Sequence, residues 1–190
     1  MAKCWKGIVM KYAVVYYSET GNTQKVAEAI YDVLPLGEKM LYQIKDLQTA
    51  PKADVYFVGF SIRNNTCGIE TMNFLDQIKG GKVALFATCG FYPADGYREQ
   101  LEHRLSVWLP ERAKYLGMFL CQGRIQDAQA DRIKQNMPKA EKQLIEMFIE
   151  GQGHPDEADM MAAKEFSEKI QKKTLQRKLS LIRIRFIVDF

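Results

Sequence analysis

The sequence lacks the patterns that would place it in several large classes of protein. Its four cysteines include no Cys-x-x-Cys pair, so neither a zinc site nor a disulfide framework is indicated, and a reducing compartment fits. No run approaches the roughly 20 apolar residues of a membrane span, and the N-terminus has no apolar core of a signal peptide. These absences predict a cytoplasmic protein.

The net charge of +4 is unevenly distributed along the 190 residues. Residues 1–168 contain 20 Lys and Arg against 22 Asp and Glu, whereas residues 169–190 contain seven against one. The body of the chain is therefore near neutral and its end is basic. No recognition motif accompanies the basic residues, so no nucleic-acid partner is expected.

Five short apolar runs alternate with patterns typical of helices. Because such runs suit buried parallel strands, the alternation predicts an α/β fold with a parallel sheet and helices on both faces. The predicted strands are residues 12–17, 40–44, 53–60, 82–87 and 118–123. The predicted helices after the first are residues 69–78, 97–109, 127–149 with Pro138 as a boundary or kink, and 156–173.

The stretch between the first strand and the first helix is rich in hydroxyl groups. It reads Ser18-Glu19-Thr20-Gly21-Asn22-Thr23, and the helix that follows offers unpaired backbone N–H groups and a favourable dipole to an anion. The glycine-rich dinucleotide fingerprint and the Gly-Lys-Ser/Thr loop of nucleoside triphosphatases are both missing. Hydroxyl and amide groups bind phosphate without a cation, so we predict a phosphate site here. The alternative is an ordinary helix cap.

At every fixed position this stretch resembles the phosphate loop of the flavodoxin family, Thr/Ser-x-Thr-Gly-x-Thr, which binds flavin mononucleotide (FMN). The resemblance extends in order and spacing over residues 11–150. It implies a flavodoxin-like doubly wound sandwich with a five-stranded parallel sheet in the order 2-1-3-4-5. It also implies FMN as the cofactor, with the phosphate bound by Ser18, Thr20, Gly21, Asn22 and Thr23.

The same resemblance places two further loops beside the flavin ring. In this fold the loops after strands one, three and four meet at the carboxyl edge of the sheet. Phe91 and Tyr92 are the candidates for ring stacking, and Tyr92 is preferred; the alternative is that both merely cover the sheet end. The other residues implied at the ring are Ile62, Arg63 and Asn64 in one loop and Thr88, Cys89 and Gly90 in the other.

Two functional classes fit this cofactor. The first is an electron carrier that passes electrons to a redox partner enzyme, with a dedicated reductase as a further expected partner. The second is an FMN-dependent oxidoreductase of the same fold, of the quinone reductase or protoporphyrinogen dehydrogenase type. A flavin-free interaction domain is a third reading. Carrier flavodoxins are usually acidic, and this near-neutral body departs from that pattern. No acid, base or nucleophile stands out, which favours the carrier.

Some other polar residues carry weaker hypotheses. The guanidinium of Arg63 is always charged. Beside the ring it would favour the anionic, fully reduced form of the flavin and so raise the reduction potential of that couple, unless solvent screens the charge. Cys67 and Cys89 form a possible redox pair, although separate loop cysteines are usually bystanders. His103 and His154 are predicted to be surface residues. No metal site and no catalytic residue are predicted.

The end of the chain is predicted to lie outside the main domain. We expect a flavodoxin-like domain over residues 11–150, an additional helix over 151–174 and a basic, apolar tail over 175–190. The tail is too short and too interrupted by arginine to span a bilayer. It can contact an anionic membrane surface or a partner's groove. The favoured alternatives are a mobile tail, a last strand packed on the domain, or non-native sequence.

Overall fold

The computed structural model describes residues 10–91, 93, 95–136 and 141–188. Five strands form one parallel sheet in the order β2-β1-β3-β4-β5. This order confirms the predicted flavodoxin-like fold. The strands are β1 (Tyr12–Tyr16), β2 (Lys39–Gln43), β3 (Val55–Ser61), β4 (Gly81–Cys89) and β5 (Ala113–Gln122).

Helices lie on both faces of the sheet, as an all-parallel sheet requires. The described helices are α1 (Asn22–Asp32), α2 (Ile69–Gln77), α3 (Tyr97–Leu105), α4 (Asp127–Asn136), α5 (Glu141–Gly151) and α6 (Glu157–Val188). A 3₁₀ turn, Ser106–Trp108, follows α3. Within the described part of the chain no helix is long and apolar enough to cross a membrane.

The two faces of the central strands pack into two separate apolar clusters. Val14 and Phe57 point to the side covered by α1, where Val26 and Ile30 are fully buried. Their neighbours along the strands point to the other side, which is covered by α2 and α3 and includes Phe74 and Leu101. This alternation is the period-two side-chain pattern of a strand that is buried on both faces.

The C-terminal helix α6 shares one face of the sheet with α1. Phe166 contacts Phe57 and Phe119, with ring centroids 6.3 and 6.1 Å away. The buried residues of the helix recur at spacings of four, three and four, which is a helical stripe. They are Ala163, Ser167, Ile170 and Thr174. The helix therefore contributes directly to the core beneath β3 and β5.

The structure changes several predicted boundaries. Strand β5 begins at Ala113 and not at residue 118, as was predicted. The prediction missed its first half because Gly117, at φ 126°, lies in an irregular part of the strand, which interrupts the apolar pattern. The stretch predicted to be helical over 127–149, with Pro138 as a boundary or kink, contains α4 and α5, and Pro138 lies outside the described residues. The backbone of the tail is helical as far as Val188, so the alternative of a last strand is wrong.

Candidate functional site

A cleft of about 830 Å³ opens at the carboxyl edge of the sheet, where β1 and β3 lie side by side at the switch point of the fold. The loops after β1, β3 and β4 meet there, as predicted, and the loop after β5 adds a fourth wall. Nine of the twelve predicted cofactor-binding residues line it: Ser18, Thr20, Asn22, Ile62, Arg63, Asn64, Thr88, Cys89 and Gly90.

The loop after β1 is shaped by Ser18 and Gly21. Gly21 adopts φ 88°, a left-handed conformation that glycine tolerates without strain, immediately before α1 begins. Its N–H donates to Oγ of Ser18 over 3.1 Å, which closes the turn. Thr20 is exposed beside the cleft. The start of α1 therefore presents the backbone N–H groups of its first turn and the exposed hydroxyl of Thr20 to the cleft.

Two members of the predicted phosphate set hold the loop rather than offer their side chains. Nδ2 of Asn22 donates to the carbonyl of Arg124 over 2.8 Å. Oγ1 of Thr23 lies 3.0 Å from Oγ1 of Thr88, and Thr23 is only 1% exposed. Neither Thr23 nor Gly21 is on the cleft wall. The Thr23 hydroxyl is therefore buried and already shares one hydrogen bond with Thr88, and its contact with the phosphate stays a prediction.

The loop after β3 forms a small hairpin. Arg63 and Thr66 exchange two backbone hydrogen bonds of 2.9 and 3.0 Å. Asn64 and Asn65 between them have positive φ angles of 51° and 58°, as the favoured two-residue hairpin turn requires. The hairpin is tied on both sides: Arg63 forms an ion pair with Glu19 of the first loop, and the Tyr97 hydroxyl donates to Oδ1 of Asn65.

The loop after β4 brings Cys89 and Phe91 to the cleft. Sγ of Cys89 donates to the carbonyl of Phe91 over 2.9 Å, and burial raises the pKa of this thiol to about 12. Burial also raises the pKa of Cys67, and both cysteines are free thiols. Phe91 is 40% exposed on the wall. Tyr92, the preferred stacking residue, lies outside the described residues.

Sequence reasoning missed the wall supplied by β5. Gly123, Arg124, Ile125 and Gln126 line the cleft. A Cβ on Gly123 would lie 2.9 Å from Nδ2 of Asn22, so glycine permits the close approach of this wall to the first loop. Tyr97 was also missed, although an aromatic at the first position of α3, next to a predicted site loop, was a usable signal.

His154, predicted to be a surface residue, is partly exposed and has a hydrogen-bond partner. Its Nδ1 lies 2.6 Å from Oδ2 of Asp159, and its side chain is 29% exposed. Its carbonyl accepts a hydrogen bond of 2.8 Å from the N–H of Arg124. His154 thus braces the β5 wall from behind. His103 is exposed on α3, as predicted.

Comparison with known proteins identifies the class. Residues 13–168 match the model of the flavodoxin domain family, and the chain therefore belongs to that family. It is 30% identical over 168 residues to a flavodoxin-like domain-containing protein, BilS, of Clostridioides difficile (strain CD3), covering 84% of this chain and 95% of the relative. A BilS of Clostridium symbiosum (strain WAL-14163) is 27% identical over 181 residues, covering 83% and 94%.

Solved structures agree on the fold. Oxidised flavodoxin 2 from Bacillus cereus is 18% identical, with a TM-score of 0.51 over 86% of this chain and 99% of the other. A short-chain flavodoxin associated with a PDU bacterial microcompartment is 17% identical, with a TM-score of 0.54 over 87% and 99%. At these identities the likeness shows the architecture alone.

The residues of the cleft fit FMN, and family membership confirms it as the cofactor. The N-terminus of α1 with Ser18 and Thr20 supplies neutral donors for the phosphate. Phe91 and Tyr97 are the described aromatic side chains on the wall and offer faces or edges to a flat ring. When bound, FMN supplies the redox chemistry, and the residues around it bind it and tune its surroundings.

Proposed function

We propose that this protein is an electron carrier that uses FMN to pass electrons to a redox partner enzyme in the cytoplasm. The observation that carries the proposal is the state of the titratable groups on the described cleft wall. Glu19 is paired with Arg63, and the Cys89 thiol is buried with a raised pKa. The Tyr97 hydroxyl is bonded to Asn65, and burial raises its pKa. These groups suit binding and shaping rather than proton transfer to a substrate.

The charges near the cleft favour a dedicated partner that is recognised by close contacts, and not a partner that is attracted by a strong electrostatic field of one sign. Glu19 with Arg63 and Arg98 with Glu99 are pairs of opposite charge on or beside the wall. A surface built from such pairs produces little long-range steering. A partner that fits this region therefore recognises it by shape and short-range contacts. A reductase that donates electrons is proposed as a second partner on the same grounds.

Stepwise reduction of the FMN-loaded protein tests this function. We expect photoreduction to proceed in two resolved one-electron steps, because a carrier exchanges electrons singly with its partners. Turnover with NAD(P)H or free quinones is expected to be slow, since no described wall residue is placed to serve such a substrate. The measurement is an absorption spectrum recorded through the reduction, together with steady-state rates.

The opposite result would support the alternative. Reduction in a single two-electron step, with fast turnover of NAD(P)H or a quinone, would contradict the carrier and identify an FMN-dependent oxidoreductase. Flavin-loaded protein that had been heat-unfolded serves as the control, because it reports the chemistry of free FMN alone.

A further inference from the structure

The ion pair between Glu19 and Arg63 crosses from the first loop of the cleft to the hairpin after β3. Glu19 lies between Ser18 and Thr20, the residues whose hydroxyls belong to the phosphate loop. An unpaired carboxylate at this position would repel a phosphate dianion. Both side chains line the cleft, and they are 52% and 49% exposed. Each charge therefore lies on the wall of the cleft that would hold the anion, and each is opposed by the other.

Neighbouring contacts fix both ends of this pair. The Tyr17 hydroxyl donates to Oε1 of Glu19 over 3.2 Å, which orients the carboxylate. The hairpin that carries Arg63 is closed by its two backbone bonds with Thr66 and held from the far side by Tyr97. Holding both groups in advance lowers the entropy cost that makes most exposed ion pairs weak.

We propose that Glu19 and Arg63 act as a mutually neutralising pair, each masking the other's charge from the cofactor's phosphate. The proposal rests on FMN binding in this cleft. It assigns Arg63 a different role from the one expected from its sequence position, where its positive charge alone was expected to act on the ring. It also explains how an acidic residue is tolerated inside a phosphate loop. Both residues are positioning residues in this account.

If the two charges mask each other, removing either one should change the affinity for FMN, and the two changes should be of opposite sign. With Arg63→Gln the Glu19 carboxylate is left unpaired, so FMN should bind more weakly by about two- to fivefold at low salt. With Glu19→Gln the guanidinium is left unpaired, so FMN should bind more tightly by a similar factor. The double variant should return to the wild-type affinity, because both charges are gone.

The measurement is the dissociation constant of FMN and of riboflavin for the full chain and these three variants. The ratio of the two constants isolates the part of affinity that the phosphate contributes. Riboflavin lacks the phosphate, so its affinity should stay constant across the series. In 1 M salt, where the Debye length is about 3 Å, the differences in FMN affinity should largely disappear.

A matched ion pair at the opposite edge of the sheet provides the control. Lys11 and Glu38 are similarly exposed, at 52% and 46%, and lie at the amino ends of β1 and β2. Lys11→Gln and Glu38→Gln should leave both constants unchanged. Circular dichroism of each variant confirms that the fold is retained.

Two outcomes would overturn the proposal. If both single variants weaken FMN and riboflavin alike, the pair is a mechanical tie between loops and not a charge mask. If neither single variant changes the ratio at low salt, solvent already screens both charges. In either case wild-type protein would still bind FMN and take part in electron transfer, so these failures are distinct from a failure of the proposed function.

Discussion

Replacing Gly59 with alanine is expected to lower the free energy of unfolding by about 3 kcal/mol, near the upper end of the usual cost of overpacking a core. Gly59 is buried in β3 directly beside Phe86 of β4. A Cβ at this position would overlap the Phe86 ring, which is itself fully buried. Urea unfolding of the FMN-free protein measures the change.

The control for this substitution is Gly80→Ala. No atom lies within 4 Å of a Cβ built on Gly80, so this variant should stay within about 1 kcal/mol of the wild type. Combining Gly59→Ala with Phe86→Leu should recover part of the loss, because the smaller side chain relieves the overlap. Equal urea midpoints for Gly59→Ala and Gly80→Ala would contradict the packing described between β3 and β4.

Replacing Thr20 with alanine is expected to weaken FMN binding by about 1 to 3 kcal/mol, the usual cost of losing one hydrogen bond to a charged group. Thr20 is the exposed hydroxyl of the phosphate loop, whereas the Thr23 hydroxyl is already bonded to Thr88. Titration of the variant with FMN, followed by the change in flavin fluorescence, measures the effect.

The specificity of this loss is tested in two ways. Thr49→Ala removes another exposed threonine, one that is not on the cleft wall, and should leave FMN affinity unchanged. Riboflavin affinity should be unchanged in Thr20→Ala, since the lost hydroxyl is assigned to the phosphate. Unaltered FMN affinity in Thr20→Ala would place the phosphate elsewhere in the cleft.

The parallel sheet was predictable from local patterns, whereas its strand order came from the resemblance of the first loop to the flavodoxin family. The central strands are short apolar runs whose residues are buried on both faces, and such runs suit parallel strands with helices on both sides. The early start of β5 was not predictable. An exposed Lys114 and the irregularity at Gly117 hide its first half from any search for a continuous apolar run.

The packing of α6 also depends on contacts that sequence patterns do not report. Its periodicity predicts a helix, but not that Phe166 meets Phe57 and Phe119 beneath the sheet. The position of this helix against the sheet is set by contacts between residues that are far apart in the chain. The segment after residue 174 is helical in its backbone through Val188, and its contact with a membrane surface stays a prediction.

The site was predictable where residues are consecutive and not where they converge. The loop over residues 18–23 carries its chemistry in one stretch, so its position on the cleft followed from the sequence. The pairing of Glu19 with Arg63, and the bond from Asn22 to the β5 wall, join residues that are far apart in the chain. Only the fold shows that the side chains of Asn22 and Thr23 form hydrogen bonds to Arg124 and Thr88.

Reconstitution with FMN tests the central claim most directly. Full-length protein is incubated with excess FMN and passed through a desalting column, and its absorption spectrum is then recorded. The cleft and the family predict that flavin bands will elute with the protein at about one FMN per chain. The bands should be weaker for Thr20→Ala, because less FMN stays bound, and unchanged for Thr49→Ala. Protein that emerges without flavin bands would contradict the cofactor, the carrier function and the role of the phosphate loop together.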